Sequence, residues 1–170
     1  MCWWTSALYD TCSLITLDKL LQCRMSVRRH LQPIVALEES FSADQMRVEA
    51  ASRLRGRVTI CPLPLPMELA ALLAAGNLPR ALSDVDKLVF ATAVHQQIPV
   101  VTADRRLARV ILARKLPVGD MALILRRMVV TNRMSRKICE GILNDLASMD
   151  DFLLGTTNPT WTMLRSHTFP

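Results

Sequence analysis

Apolar residues along this chain fall into two alternating patterns. Short unbroken runs, TSALY (5–9), PIVAL (33–37), RVTIC (57–61), IPVVT (98–102) and LPVGD (116–120), are apolar or β-branched with no regular polar alternation, and they predict strands buried on both faces. Between them lie stretches with apolar residues at helical spacing: SLITLDKLLQCRMSVRRH (13–30), EESFSADQMRVEAASRLRG (38–56), MELAALLAA (67–75), Ser83 to Gln97, and DRRLARVILARK (104–115). MALILRRMV (121–129) and SRKICEGILNDLASM (135–149) add two more helices. Gly56 is placed to end the second helix, and the prolines of PLPLP (62–66) keep that connector extended. Strand and helix alternating in this way predict a parallel sheet covered by helices on both faces, a three-layer α/β/α architecture with about four to five strands.

Within the helix from Ser83 the expected core stripe is Val85, Leu88, Val89, Thr92 and Gln96. Asp84 and Asp86 lie off that stripe in the first turn. Ser83 followed three residues later by Asp86 reads as a capping box, and acids suit the positive end of the helix dipole. That is the structural account of Asp86. The functional account comes from the other acids: Asp10 ends the first strand, Asp44 opens the helix after the second, and Asp104 follows IPVVT. In an open parallel sheet ligands bind beyond the carboxyl ends of the strands. Carboxylates gathered there repel one another unless a cation neutralises them. Hard oxygen donors without an adjacent His or Cys favour Mg²⁺ or Mn²⁺ over zinc.

Length and charge narrow the classes. A chain of 170 residues, 51% of them hydrophobic, can bury one sizeable core. We expect a single domain over residues 1–154 and a loose C-terminal tail over 155–170, whose GTTNPTWTMLRSHTFP has turn residues and no period. Lys and Arg total 21 against 15 Asp and Glu, a net charge of +6 that favours an anionic partner such as nucleic acid. Five cysteines without a Cys-x-x-Cys pair give no zinc or redox signature and suggest reduced thiols. The apolar start, MCWWTSALYDTC, lacks a basic n-region and is interrupted by Asp10, and no apolar run nears the ~20 residues of a membrane span. The expectation is a cytoplasmic protein with no membrane partner.

Four short motifs together resemble the PIN-domain family, most of whose members are metal-dependent ribonucleases. YDTCSLI resembles the family's opening motif, with Asp10 in the metal-binding place and Thr11 and Ser13 as supporting hydroxyls. SFSADQ resembles the second, with Asp44 in the place usually held by Glu and Glu49, one turn further on, as the alternate second acid. LSDVDKLVFATA resembles the third through Asp86, and VVTADRRL the fourth through Asp104, with Thr102 just before it. The 18-residue separation of the last two acids is the most specific part of the match.

The resemblance implies hydrolysis of RNA phosphodiester bonds, with catalytic acids Asp10, Asp44, Asp86 and Asp104. Asp10, Asp86 and Asp104 would hold Mg²⁺ or Mn²⁺, and Arg105 and Arg106 would position phosphates. Small members of the family are commonly VapC-type toxins of toxin–antitoxin pairs, which implies an antitoxin protein and a homodimer as partners. The competing reading is a catalytically silent module that keeps the fold for RNA or protein binding. Trp3 and Trp4 are candidates for base stacking or for packing at the sheet edge, and His30 and His95 for proton shuttles or plain surface residues. A haloacid-dehalogenase-like phosphatase is disfavoured because Cys12 stands where that family needs a second Asp.

Overall fold

The computed structural model describes residues 3–23, 27–31, 33–151 and 153–170, without the side chains of residues 28 and 29. The order of elements is β1 (Leu8–Tyr9), α1 (Thr11–Cys23), α2 (Arg28–Leu31), β2 (Val35–Ala36), a 3₁₀ turn (Glu38–Phe41), α3 (Val48–Arg55), β3 (Thr59–Ile60) and α4 (Pro66–Ala75). It continues with α5 (Asp84–Gln96), β4 (Val100–Val101), α6 (Arg105–Ala113), β5 (Val118–Gly119), α7 (Met121–Val130), α8 (Arg136–Ser148) and α9 (Trp161–Ser166). The five strands form one sheet in the order β3-β2-β1-β4-β5, every pair parallel. Flanking residues extend the ladder beyond the short strand cores. Leu8 N donates to Pro99 O at 2.8 Å, Asp10 N to Val101 O at 3.0 Å and Thr102 N to Gly119 O at 3.0 Å.

Alternation along each strand divides the core in two. Tyr9, Ala36 and Val101 face a cluster built from α1, α3, α7, α8 and α9, with Leu14, Leu17, Leu20, Ile124, Ile142 and Leu146 fully buried. Leu8, Val100 and Val118 face the opposite cluster, where α5 and α6 bring Val89, Phe90, Leu107 and Ile111. The three-layer α/β/α fold with a five-stranded parallel sheet is therefore the architecture of the chain. Fully burying one such Leu contributes about 1.5–3 kcal/mol, so the two layers together carry the stability. A bidentate pair from Arg53 to the buried Asp18 (Nε–Oδ1 2.9 Å, Nη2–Oδ2 2.6 Å) ties α3 to α1.

Three local expectations are corrected. The helix expected over 38–56 is broken: after the 3₁₀ turn the chain runs irregularly through Ser42, Asp44 and Gln45, and α3 starts only at Val48. Ser and Asp side chains compete for backbone hydrogen bonds and resist helix, while Phe41 anchors the break by burial. The segment expected to be loose, 155–170, carries α9, whose Leu164 is fully buried and whose end is held by Arg126 Nη1 bonded to the carbonyls of Arg165 (3.1 Å) and His167 (2.7 Å). Helix α5 is buried more broadly than one stripe, adding Phe90, Ala91 and Ala93, because it packs against the sheet, α4 and α6, whereas Gln96 is exposed.

The helix expected over 13–30 appears as α1 and α2, with 24–26 outside the described residues. In α8, Ile142, Leu143 and Leu146 are core and Ile138 is exposed. Trp4 is buried and its Nε1 donates to His30 O at 3.1 Å, while the indole of Trp3 lies over Gly119, where an added Cβ would meet it at 2.6 Å. No helix among the described residues is long and apolar enough to cross a membrane.

Candidate functional site

From β1 the chain crosses to β2 on one side, and from β4 it crosses to β5 on the other. The two departures leave a crevice between the carboxyl ends of β1 and β4, the switch point at which parallel sheets bind ligands. Asp10 and Thr102 are the residues that follow those strands. The β1–β4–β5 register pairs Tyr9 with Val101 and Val101 with Gly119, and its next step sets Asp10, Thr102 and Asp120 side by side along the sheet edge.

Asp10 is almost completely buried. Its Oδ1 accepts the backbone N–H of Ser13 at 2.7 Å, and its Oδ2 accepts the hydroxyl of Thr102. Thr102 in turn accepts the N–H of Asp104 at 2.9 Å, so one buried hydroxyl links the acid of the first motif to the backbone of the fourth. Burial raises the Asp10 pKa from 3.8 to about 6; Thr102 and Ser13 oppose the rise by stabilising the carboxylate, and the negative charge of Asp86 adds to it. The Ser13 hydroxyl is itself buried and has no hydrogen-bond partner that meets normal geometry among the described residues.

Above Asp10 opens a cleft of about 380 Å³ lined by Asp44, Asp84, Asp86 and Asp104 together with Thr11 and Cys12. Asp86 is here a cap and a cleft residue at once: its Oδ2 accepts from Ser83 N (3.2 Å) and Ser83 Oγ (2.7 Å), and Ser83 Oγ accepts from Asp86 N (3.1 Å). Asp104 caps α6 through Oδ1, which accepts from Arg106 N at 2.6 Å and Leu107 N at 3.3 Å. Each carboxylate thus has one oxygen with no such bond. Asp84 is exposed and held to Lys87 at 2.7 Å, which lowers its pKa. The Cys12 thiol is pushed up to about 11, first by burial and then by the charges of Asp10, Asp86, Asp104 and Asp151.

The second acid of the cleft is Asp44, which sits in the turn before α3 and not in a helix. Glu49 is exposed in the first turn of α3 and is not among the residues lining that cleft. Thr11 donates its hydroxyl to the Ser40 carbonyl at 3.4 Å, bracing the loop that carries Asp44. Arg105 and Arg106 are exposed on the first turn of α6; Arg105 lines a neighbouring hollow with Cys12. His95 is exposed on α5, 3.9 Å from Glu68.

Two acids near Cys12 were missed from sequence. Asp120 follows β5 as Asp10 follows β1, a parallel visible in LPVGD, whereas Asp151 arrives from a patternless segment and accepts from Thr16 Oγ1 at 2.9 Å. The donor set is of the kind a hard divalent ion takes: carboxylate oxygens around an electronegative hollow, over a buried acid whose charge needs compensation. The carboxylates fit such an ion in chemistry, but among the described residues no three His, Cys, Asp or Glu side chains stand close enough to ligate one ion together. No protein-family model matches this chain, and no curated protein matches it at a significant level.

Proposed function

We propose that the protein is a PIN-like, Mg²⁺- or Mn²⁺-dependent endoribonuclease that hydrolyses RNA phosphodiester bonds at the β1–β4 crevice. The observation that carries this reading is the cleft at the β1–β4 switch point, which Asp44, Asp86 and Asp104 line beside the buried Asp10. A cleft lined by carboxylates attracts a cation, and phosphodiester hydrolysis is a reaction that uses one.

Asp10, Asp86 and Asp104 would hold the ion, and Asp44 would orient water or join them. When bound, the ion neutralises charge developing on the phosphate and lowers the pKa of water. The chain's own contribution is positioning. Thr102 and the Ser13 N–H fix the Asp10 carboxylate, and the helix caps fix one oxygen each of Asp86 and Asp104. An adjoining groove of about 510 Å³ shares Gln45 with the carboxylate cleft and is lined by Arg47 together with Lys19 and Arg53, which pair with Asp151 and Asp18; Arg47 is the cation there placed to meet a phosphate.

The second reading, a catalytically silent RNA-binding module, is favoured by the lack of a closed three-ligand group among the described residues. Incubation of RNA with wild type, Asp10→Asn and Asp86→Asn proteins in Mn²⁺ or Mg²⁺ separates the two. The nuclease reading expects cleavage by wild type alone; RNA that binds all three equally and is cut by none would leave the binding module. A partner chain, as antitoxin or second copy, is supported by α4, none of whose residues is buried and whose Met67, with Leu65 before it, is exposed. Light scattering of the purified chain, alone and co-expressed with the neighbouring reading frame, tests for one.

A further inference from the structure

A second hollow, of about 270 Å³, lies on the other side of Cys12 from the carboxylate cleft. Cys12 lines both, and the corner at the start of α6 is shared between them, Asp104 on the first and Arg105 on the second. The far wall is the C-terminal segment, which contributes His167 and Phe169.

His167 Nε2 lies 2.6 Å from Asp120 Oδ2, while Asp120 Oδ1 accepts the N–H of Leu123 at 2.8 Å. An ionised carboxylate can only accept, so the proton of this pair sits on Nε2 of the ring. The tautomer is thereby fixed. In the neutral ring Nδ1 is an acceptor, and among the described residues it has no protein partner. The imidazole is mostly buried, with 16% of its side chain exposed, and lines the hollow.

Tying down the tail does not require this pair. Arg126 already holds the His167 carbonyl at 2.7 Å, and Leu164 buries α9 in the core. Ser13 also lines the hollow, its hydroxyl buried beside the Asp10 carboxylate. Met121, Leu153 and Phe169 give it an apolar wall, so its make-up is an apolar surface with a few fixed polar atoms, the usual composition of a small-ligand site. Charged groups around the imidazole are Asp120 ahead of α7, Asp151 after α8, which pairs with Lys19 at 3.5 Å, Arg105 on α6 and Arg126 on α7, which holds the His167 carbonyl. Its apolar wall suits an uncharged, hydrogen-bonding portion of a strand better than a phosphate.

We propose that this hollow seats the nucleoside adjoining the cleaved phosphodiester, with the base on the apolar wall and His167 Nδ1 accepting a hydrogen bond from a donor of that nucleoside. The inference rests on the ribonuclease reading above. The test compares His167→Gln, which can keep an N–H toward Asp120 but carries its acceptor oxygen on the opposite edge from Nδ1, with His167→Ala, which loses both. His167→Gln is expected to melt like wild type and to raise KM for a short RNA by about five- to tenfold, the effect of one lost hydrogen bond, with kcat little changed. Wild-type KM in His167→Gln alongside a destabilised His167→Ala would reduce the pair to a pin for the tail and overturn the proposal.

A second readout does not depend on turnover. In ¹⁵N-histidine-labelled wild type, addition of a non-cleavable tetranucleotide should shift the His167 Nδ1 resonance. A shift without any cleavage would keep the subsite and discard the nuclease. No shift at the highest attainable RNA concentration would overturn the subsite.

Discussion

Asp10 sits where burial and neighbouring charge both oppose ionisation, and the consequence can be measured without substrate. Its folded pKa, about 6, lies above the ordinary 3.8, so the protonated acid favours the folded state. That contribution is fully present below about pH 4 and is lost as pH rises through 6. In metal-free protein, Asp10→Asn should therefore be more stable than wild type at pH 8, by on the order of 2 kcal/mol, and should lose that advantage toward pH 4. Urea titrations at the two pH values check it; equal stabilities at pH 8 would mean the carboxylate is not held in that environment. At this scale the sequence was informative wherever a residue type had few alternatives: an Asp directly after an apolar strand marked Asp10, and a Ser three residues before an acid marked the cap at Asp86. It was uninformative about Asp151 and His167, because nothing local distinguishes a tail residue that folds back from one that does not.

At the level of elements, the caps of α5 and α6 are also walls of the cleft, so structure and chemistry share the same side chains. Asp86→Asn retains an oxygen that can accept from Ser83, whereas Asp86→Ala retains none. The first should leave the melting temperature near wild type, the second should cost about 0.5–2 kcal/mol, and both should abolish metal-dependent cleavage. Thermal melts paired with cleavage assays check this; full activity in Asp86→Asn would restrict Asp86 to capping. The docking of α9 is tested separately. Leu164→Ala should destabilise the protein by about 2–5 kcal/mol, read by urea unfolding, because the side chain is fully buried against α7 and α8; an effect near zero would return the segment to a loose tail. Periodicity revealed the five strands and most helices because their apolar spacing was regular. It misread 38–56, where a single buried Phe41 and a run of Ser and Asp outweigh helix propensity, and it misread 155–170, where six helical residues are too few for a period to register.

For the molecule as a whole, the strand order β3-β2-β1-β4-β5 opens the crevice between the carboxyl ends of β1 and β4 at which the proposed site lies. Residues 44, 86 and 104 are far apart in the chain and line one cleft at the β1–β4 crevice, beside the buried Asp10. The alternation of elements in the sequence pointed to a parallel sheet, but not to which strands would be neighbours, since strand order depends on helix packing that no local pattern records. That Asp44, Asp86 and Asp104 would line one cleft was legible because each falls just after a predicted strand or at the start of the helix leading back to the sheet. The account stands or falls on whether those carboxylates jointly hold one divalent ion. Calorimetric titration of the metal-free protein with Mn²⁺ measures this directly, using wild type, Asp10→Asn, Asp86→Asn and Asp104→Asn. The account predicts one saturable site in wild type that each substitution weakens at least about tenfold, a loss of about 1.4 kcal/mol or more. Binding of Mn²⁺ by all three variants with wild-type affinity, or no saturable site in wild type, would contradict it.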